Sequence, residues 1–236
     1  MRREWFERGK MLSSFSEFQD RINISKEALE KSGYTVLKFE ILPPVSIDEI
    51  EERQKNWPLK IPDEIKKFMS EVSSHIKFEW TDYKYWHSHN KNVLACKLPE
   101  PEYGYWPWMG YYNLTFEQME WEVVTYWPHE FEDVDFLEEN TDYFPFDVDE
   151  TGSSFIYQEN PLNEKSVLLY GDNILCYYTP IMIADSFYDF WDCVTLLGCP
   201  HRDFFNVFYD EKTQILDPYC ENALKWREFL GIENLK

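Results

Sequence analysis

The sequence predicts an α+β fold, a mostly antiparallel sheet with flanking helices, and three observations carry that expectation. Helix-like segments come first, consecutive strand-like runs follow, and helices return at the end. That order suits a segregated sheet rather than alternating β–α–β units. The turn residues Thr151-Gly152 and Gly171-Asp172-Asn173 sit where consecutive strands would bend into hairpins. Aromatic residues make up 19 % of the chain, enough large rings to fill a sizeable core.

Each element has a local reason. Residues 14–33 read as a helix that stops at Gly33. TVLKFEIL (35–42) alternates as a strand does, and Pro43-Pro44 ends it. SIDEIEERQKNW (46–57) opens with Ser46 as N-cap and Glu49 three residues later, a capping box. In 61–72, Pro62 and Asp63 suit the first turn, and Ile65, Phe68, Met69 and Val72 form one apolar stripe. The run 75–86 alternates Ile76, Phe78 and Trp80 on one face, and NVLACKL (92–98) reads as a further strand. NLTFEQMEWEVV (113–124) suits a short helix capped by Thr115, with Phe116, Met119 and Val123 inward. FPFDVDE, SSFIYQ and SVLLYGDNILCYY are strand-like. Residues 183–198 predict an amphipathic helix ending at Gly198, and NALKWREFLGI (222–232) predicts the last helix. The length suits a single domain over 1–236.

Charge is concentrated. Of 44 acids and 23 bases, giving a net charge of −21, the segment from Leu98 to Glu164 holds 17 acids and no Lys or Arg. Such a block makes a local negative field. It argues against nucleic acid and against an anionic membrane surface, both of which select Lys and Arg. A basic protein partner would be steered toward it. Five cysteines, an odd number without a CxxC pair, argue against a disulfide framework. The first residues, MRREWFERGKMLSSF, lack the apolar run of a signal peptide. The expectation is a cytoplasmic protein.

Motifs for chemistry are weak. Asp147-x-Asp149-x-Thr151-Gly152 begins like a calcium loop, but the twelfth position is Gln158 where a bidentate Glu is needed, so a hairpin turn reads better. His87 and His89, beside Asp82 and Trp86, would face one side of a strand as metal ligands do, yet no second pair at ligand spacing follows. Cys193, Cys199 and His201 lie close in sequence, with Cys193 expected on a helix facing the core. There is no GxSxG, P-loop or GxGxxG. In so acidic a chain, paired carboxylates arise by chance and do not single out glycoside hydrolysis. No catalytic residue, cofactor or metal is therefore assigned.

PEYGYWPWMGYY (101–112) puts six aromatic residues in twelve, without a base. Its rings either bury into the core or form an exposed patch with an acidic rim. As a patch, Tyr103, Tyr105, Trp106, Trp108 and Tyr111 are candidate partner anchors. Glu100, Glu102, Glu130, Glu132, Asp133 and Asp135 are the candidate rim.

The motif order resembles a known family. A short helix at SIDEIEERQ is followed by a second helix with Ile61, Pro62, Asp63, Ile65 and Phe68, then a strand with Trp80 at its centre. FPFDVDETGSSFIYQ looks like an acidic-turn hairpin, SVLLYGDN like the next strand, and IADSFYDFWDCV like a closing helix. Together they resemble the SUKH superfamily, which contains fungal cell-wall assembly regulators and bacterial toxin-immunity proteins. The likeness covers about 46–197, leaving 1–45 and 198–236 as helical extensions. The family's frequent Asn-Gly after the second helix is replaced near Ser73–His75, and 81–112 has no counterpart. The resemblance implies a non-enzymatic protein-binding module, foremost an immunity protein that neutralises a basic, nuclease-type toxin. A regulatory scaffold on the same fold is the alternative, and a metal-binding protein or hydrolase the third reading.

Overall fold

The computed structural model describes residues 12, 14–81, 109–126, 143–148, 154–159, 165–170, 181–200, 202, 205, 207–210 and 215–235. The fold is α+β. Helix α1 (Phe15–Lys31) leads into strand β1 (Thr35–Leu42), helices α2 (Ile47–Arg53) and α3 (Asp63–Glu71), and strands β2 (His75–Thr81) and β3 (Met109–Leu114). Helix α4 (Phe116–Trp121) runs on as a π-helical turn, Glu122–Tyr126. Strands β4 (Tyr143–Val148), β5 (Ser154–Glu159), β6 (Lys165–Tyr170) and β7 (Ile181–Ala184) precede α5 (Phe187–Leu196). Short strands β8 (Tyr209–Asp210) and β9 (Ile215–Leu216) and helix α6 (Glu221–Leu230) close the chain. Among the described residues all strand pairs are antiparallel, in sheets ordered β1-β2-β3, β4-β5-β6-β7 and β8-β9.

The helix ends follow local chemistry. Ser14, Ser46, Thr115 and Ser186 each accept a hydrogen bond from the backbone N–H three residues on, at Glu17, Glu49, Gln118 and Asp189. The Glu49 carboxylate lies 3.3 Å from Arg53 in the next turn, where a salt bridge forms. Helix α2 ends at Arg53, short of the expected Trp57; Lys60 Nζ donates to the carbonyls of Gln54, Lys55 and Trp57 and closes that end. Gly33, at φ 93°, ends α1, with Tyr34 N–H reaching back to Leu29 O at 3.0 Å.

The core is aromatic. Ile65, Phe68, Met69 and Val72 are fully buried, as their spacing predicts. Phe68 meets Phe18 of α1 and Phe187, Tyr188 and Trp191 of α5 at ring-centroid distances of 5.1–6.0 Å. Phe155 packs on Phe146 and Phe190. The segments before 46 and after 197 enter this same core: Arg21 of α1 is ion-paired with Asp192 of α5, and Trp226 Nε1 of α6 donates to Leu197 O at 2.7 Å. Helix α5 departs from expectation, because every one of its ten residues is buried. Elements on all its sides remove the solvent face an amphipathic helix requires. Among the described residues, no helix is long and apolar enough to cross a membrane.

Candidate functional site

Strand β3 is where the aromatic run enters the described structure. Residues 109–114 form a paired strand, although glycines and prolines break any regular periodicity over 101–112, and the next helix begins after its expected Thr115 cap. The residues alternate across the sheet. Tyr112 points inward, is fully buried, and its hydroxyl donates to Pro200 O. Gly110 lies opposite Trp80, whose indole N–H donates to Cys199 O at 2.8 Å. Tyr111 points to the other face, opposite Glu79, and is half-buried. Burial raises its phenol pKa, against the lowering effect of the Asn113 hydrogen bond.

Behind β3 a buried polar network joins the two larger sheets. The Asn113 amide N–H donates to Asp147 Oδ2 of β4 at 3.0 Å. Arg202 lies 3.0 Å from Asp147 Oδ1 and donates to the backbone carbonyls of Tyr111 and Asp147. One guanidinium thus ties β3 to β4 by their carbonyls. Its face also rests on the Phe155 ring, 4.0 Å from the centroid. The Asn113 side chain donates to Gln118 Oε1 at 2.9 Å, and Gln118 Nε2 donates to Glu122 Oε1 at 3.2 Å. Glu122 is 0 % exposed. Burial, reinforced by the Asp147 carboxylate, pushes its pKa well above the usual carboxylate range, while the Gln118 hydrogen bond pulls the other way.

The chain above Glu122 is a π-helical turn. Its wider winding brings residues five apart onto one side, where an α-helix brings those three or four apart. Trp121 and Tyr126, five apart, therefore stack, with centroids 5.1 Å apart and planes at 25°. Glu122 and Val123 both point inward, while Trp121 is 44 % and Val124 49 % exposed. Glu117 and Glu120 are exposed on the same helix. Arg53 of α2 lies over Phe116 and 3.8 Å from Glu117.

Of the sequence-derived candidates, Tyr111 is half-buried against the seam, its hydroxyl accepting from Asn113 Nδ2 at 3.1 Å and its ring centroid 6.0 Å from the Arg202 guanidinium. Glu100, Glu102, Tyr103, Tyr105, Trp106, Trp108, Glu130, Glu132, Asp133 and Asp135 lie outside the described residues, as do His87, His89, His201, the strand expected over 92–98 and both hairpin turns. Asp147, the first residue of the calcium-like motif, is engaged by Arg202 in the seam. Cys193 is buried in α5, as expected. Sequence reading placed Trp121 in a helix without singling it out. Its pairing with Tyr126 has no α-helical spacing, so no ordinary periodicity points to it.

A shallow cleft of about 280 Å³ opens between the start of α3 and the paired strands β4 and β5, walled by Pro62, Tyr143, Phe144 and Tyr157. Tyr157 donates its hydroxyl to Glu64 at 2.8 Å. Lys165 lies 3.7 Å from Glu64 and 3.9 Å from Glu159, and Lys60 also lines the cleft. Its acids and lysines balance, so it adds no field of its own.

Compared with known proteins, the chain matches no family model, no curated protein and no solved structure.

Proposed function

We propose that this chain is a non-enzymatic protein-binding module of the immunity type, which neutralises a basic, nuclease-type toxin by covering its active site. The observation that carries the reading is the segment 98–164, with 17 acids and no Lys or Arg. In a complex its carboxylates would take the places of the phosphates that a nuclease grips. Support comes from the SUKH-like motif order and from where those motifs fall. Ile61, Ile65 and Phe68 around α3, Trp80 of β2, and Phe187 and Phe190 of α5 all contribute to one core. The aromatic run supplies apolar anchors, and the acids speed encounter.

The test is co-expression of the chain with each protein encoded beside its gene, scoring host survival and co-purification. Rescue of a toxic neighbour together with a stable complex is the expected result. A stable complex without toxicity would favour the scaffolding reading, and neither rescue nor complex would refute the immunity reading. In the complex, Trp106→Ala and Trp108→Ala should each weaken binding by about 2 kcal/mol or more. Unchanged affinity in both would remove that run from the interface.

A further inference from the structure

Most large apolar side chains among the described residues are inside, but α4 and its π turn hold Trp121 and Val124 out in water. The arrangement is built from beneath. Glu122 and Val123 are both buried beneath it, and the π winding sets Tyr126 against the Trp121 ring. A stacked pair loses little rotamer entropy on binding, because its rings are already held. An exposed Trp within a small apolar cluster and a polar rim is the composition of an interface anchor.

We propose that the Trp121–Tyr126 stack with Val124 is a docking surface for a basic protein segment, one that presents an apolar side chain flanked by Arg or Lys. This rests on the reading above that the partner is basic, and it names the residues that receive it. Charge selects the occupant. Glu117 and Glu120 share the helix, and the sequence around it has no base from 98 to 164. Arg53, which reaches this helix from α2, already lies 3.3 Å from Glu49 and 3.8 Å from Glu117. A second copy would bring the same acids against these, in a chain of net charge −21. An anionic lipid surface would be repelled likewise. A guanidinium or ammonium is attracted to the carboxylates and to an exposed indole alike.

The test uses the full chain and a labelled 15-residue amphipathic helical peptide of Leu, Lys and Arg, followed by fluorescence anisotropy at low salt. Wild type should bind, and the Trp121→Ser/Val124→Ser double variant should bind at least about tenfold more weakly with an unchanged circular-dichroism spectrum. Leu224→Ser, at an exposed position on α6, should bind as wild type does. Hydrogen exchange over 116–126 should slow on binding. If wild type binds and the double variant binds equally well, this surface is overturned while the basic-partner reading stands. If wild type does not bind, the basic-partner reading falls with it. A concentration-dependent dimer that the double variant abolishes would assign the surface to a second copy and overturn the proposal.

Discussion

Gly110 has no room for a side chain: a Cβ there would lie 2.0 Å from Trp80 Nε1 and 2.5 Å from its ring. Gly110→Ala must push the indole off Cys199 O, and overpacking with a lost buried hydrogen bond should cost about 2–4 kcal/mol in urea denaturation. Unaltered stability would show that Trp80 moves without penalty. Asp189 is a second residue with a measurable signature. Burial raises its pKa from the ordinary 3.8 to about 6, although the hydrogen bond from Ser186 pulls the other way. Between those values the folded chain holds a proton that the unfolded chain releases. Its contribution is therefore fully present below pH 3.8 and is lost as pH rises to about 6. The loss is about 3 kcal/mol. Asp189→Asn keeps an oxygen for the Ser186 hydroxyl and should abolish this slope. Denaturation of both proteins from pH 4 to 7 checks it, and parallel curves would contradict the assignment. The Ser46 and Thr115 caps were legible in the sequence because a cap involves only its own turn. Gly110 was not, because its constraint comes from a residue thirty positions away across the sheet.

Strand and helix positions were largely legible wherever burial alternates or repeats within one element, as in β2 and α3. Three departures share one cause, which is that neighbours distant in sequence decide them. Helix α5 is enclosed on all sides rather than amphipathic. Residues 109–114, set among glycines and prolines, become a strand because β2 offers an edge to pair with. The π turn carries Glu122 into the buried seam beside Asp147, a residue of another strand. The seam between β3 and β4 is likewise invisible in the sequence, since Arg202 stands far from both strands. Arg202→Met leaves the Asp147 carboxylate buried without its cation and should cost about 3–5 kcal/mol. Adding Asp147→Asn removes that uncompensated charge, so the double variant should be more stable than Arg202→Met alone. Additive losses in a double-mutant cycle would contradict a direct pairing. The candidate surface was only partly legible: composition located the acidic segment, but not the ring pair that the π turn assembles.

At the scale of the whole molecule the net charge of −21 dominates. Self-repulsion opposes the compact state and salt screens it, so the melting temperature should rise as NaCl is added to about 0.5 M. A flat response would mean that the acids are locally neutralised. The same field should govern encounter with a basic partner. The most direct measurement is the association rate of the purified chain with the protein that co-purifies with it, followed by stopped flow as NaCl is raised. The account predicts a rate that falls by about tenfold or more between low and about 0.5 M salt, with dissociation changing far less. An association rate indifferent to salt would contradict the claim that the acidic segment recognises a basic protein.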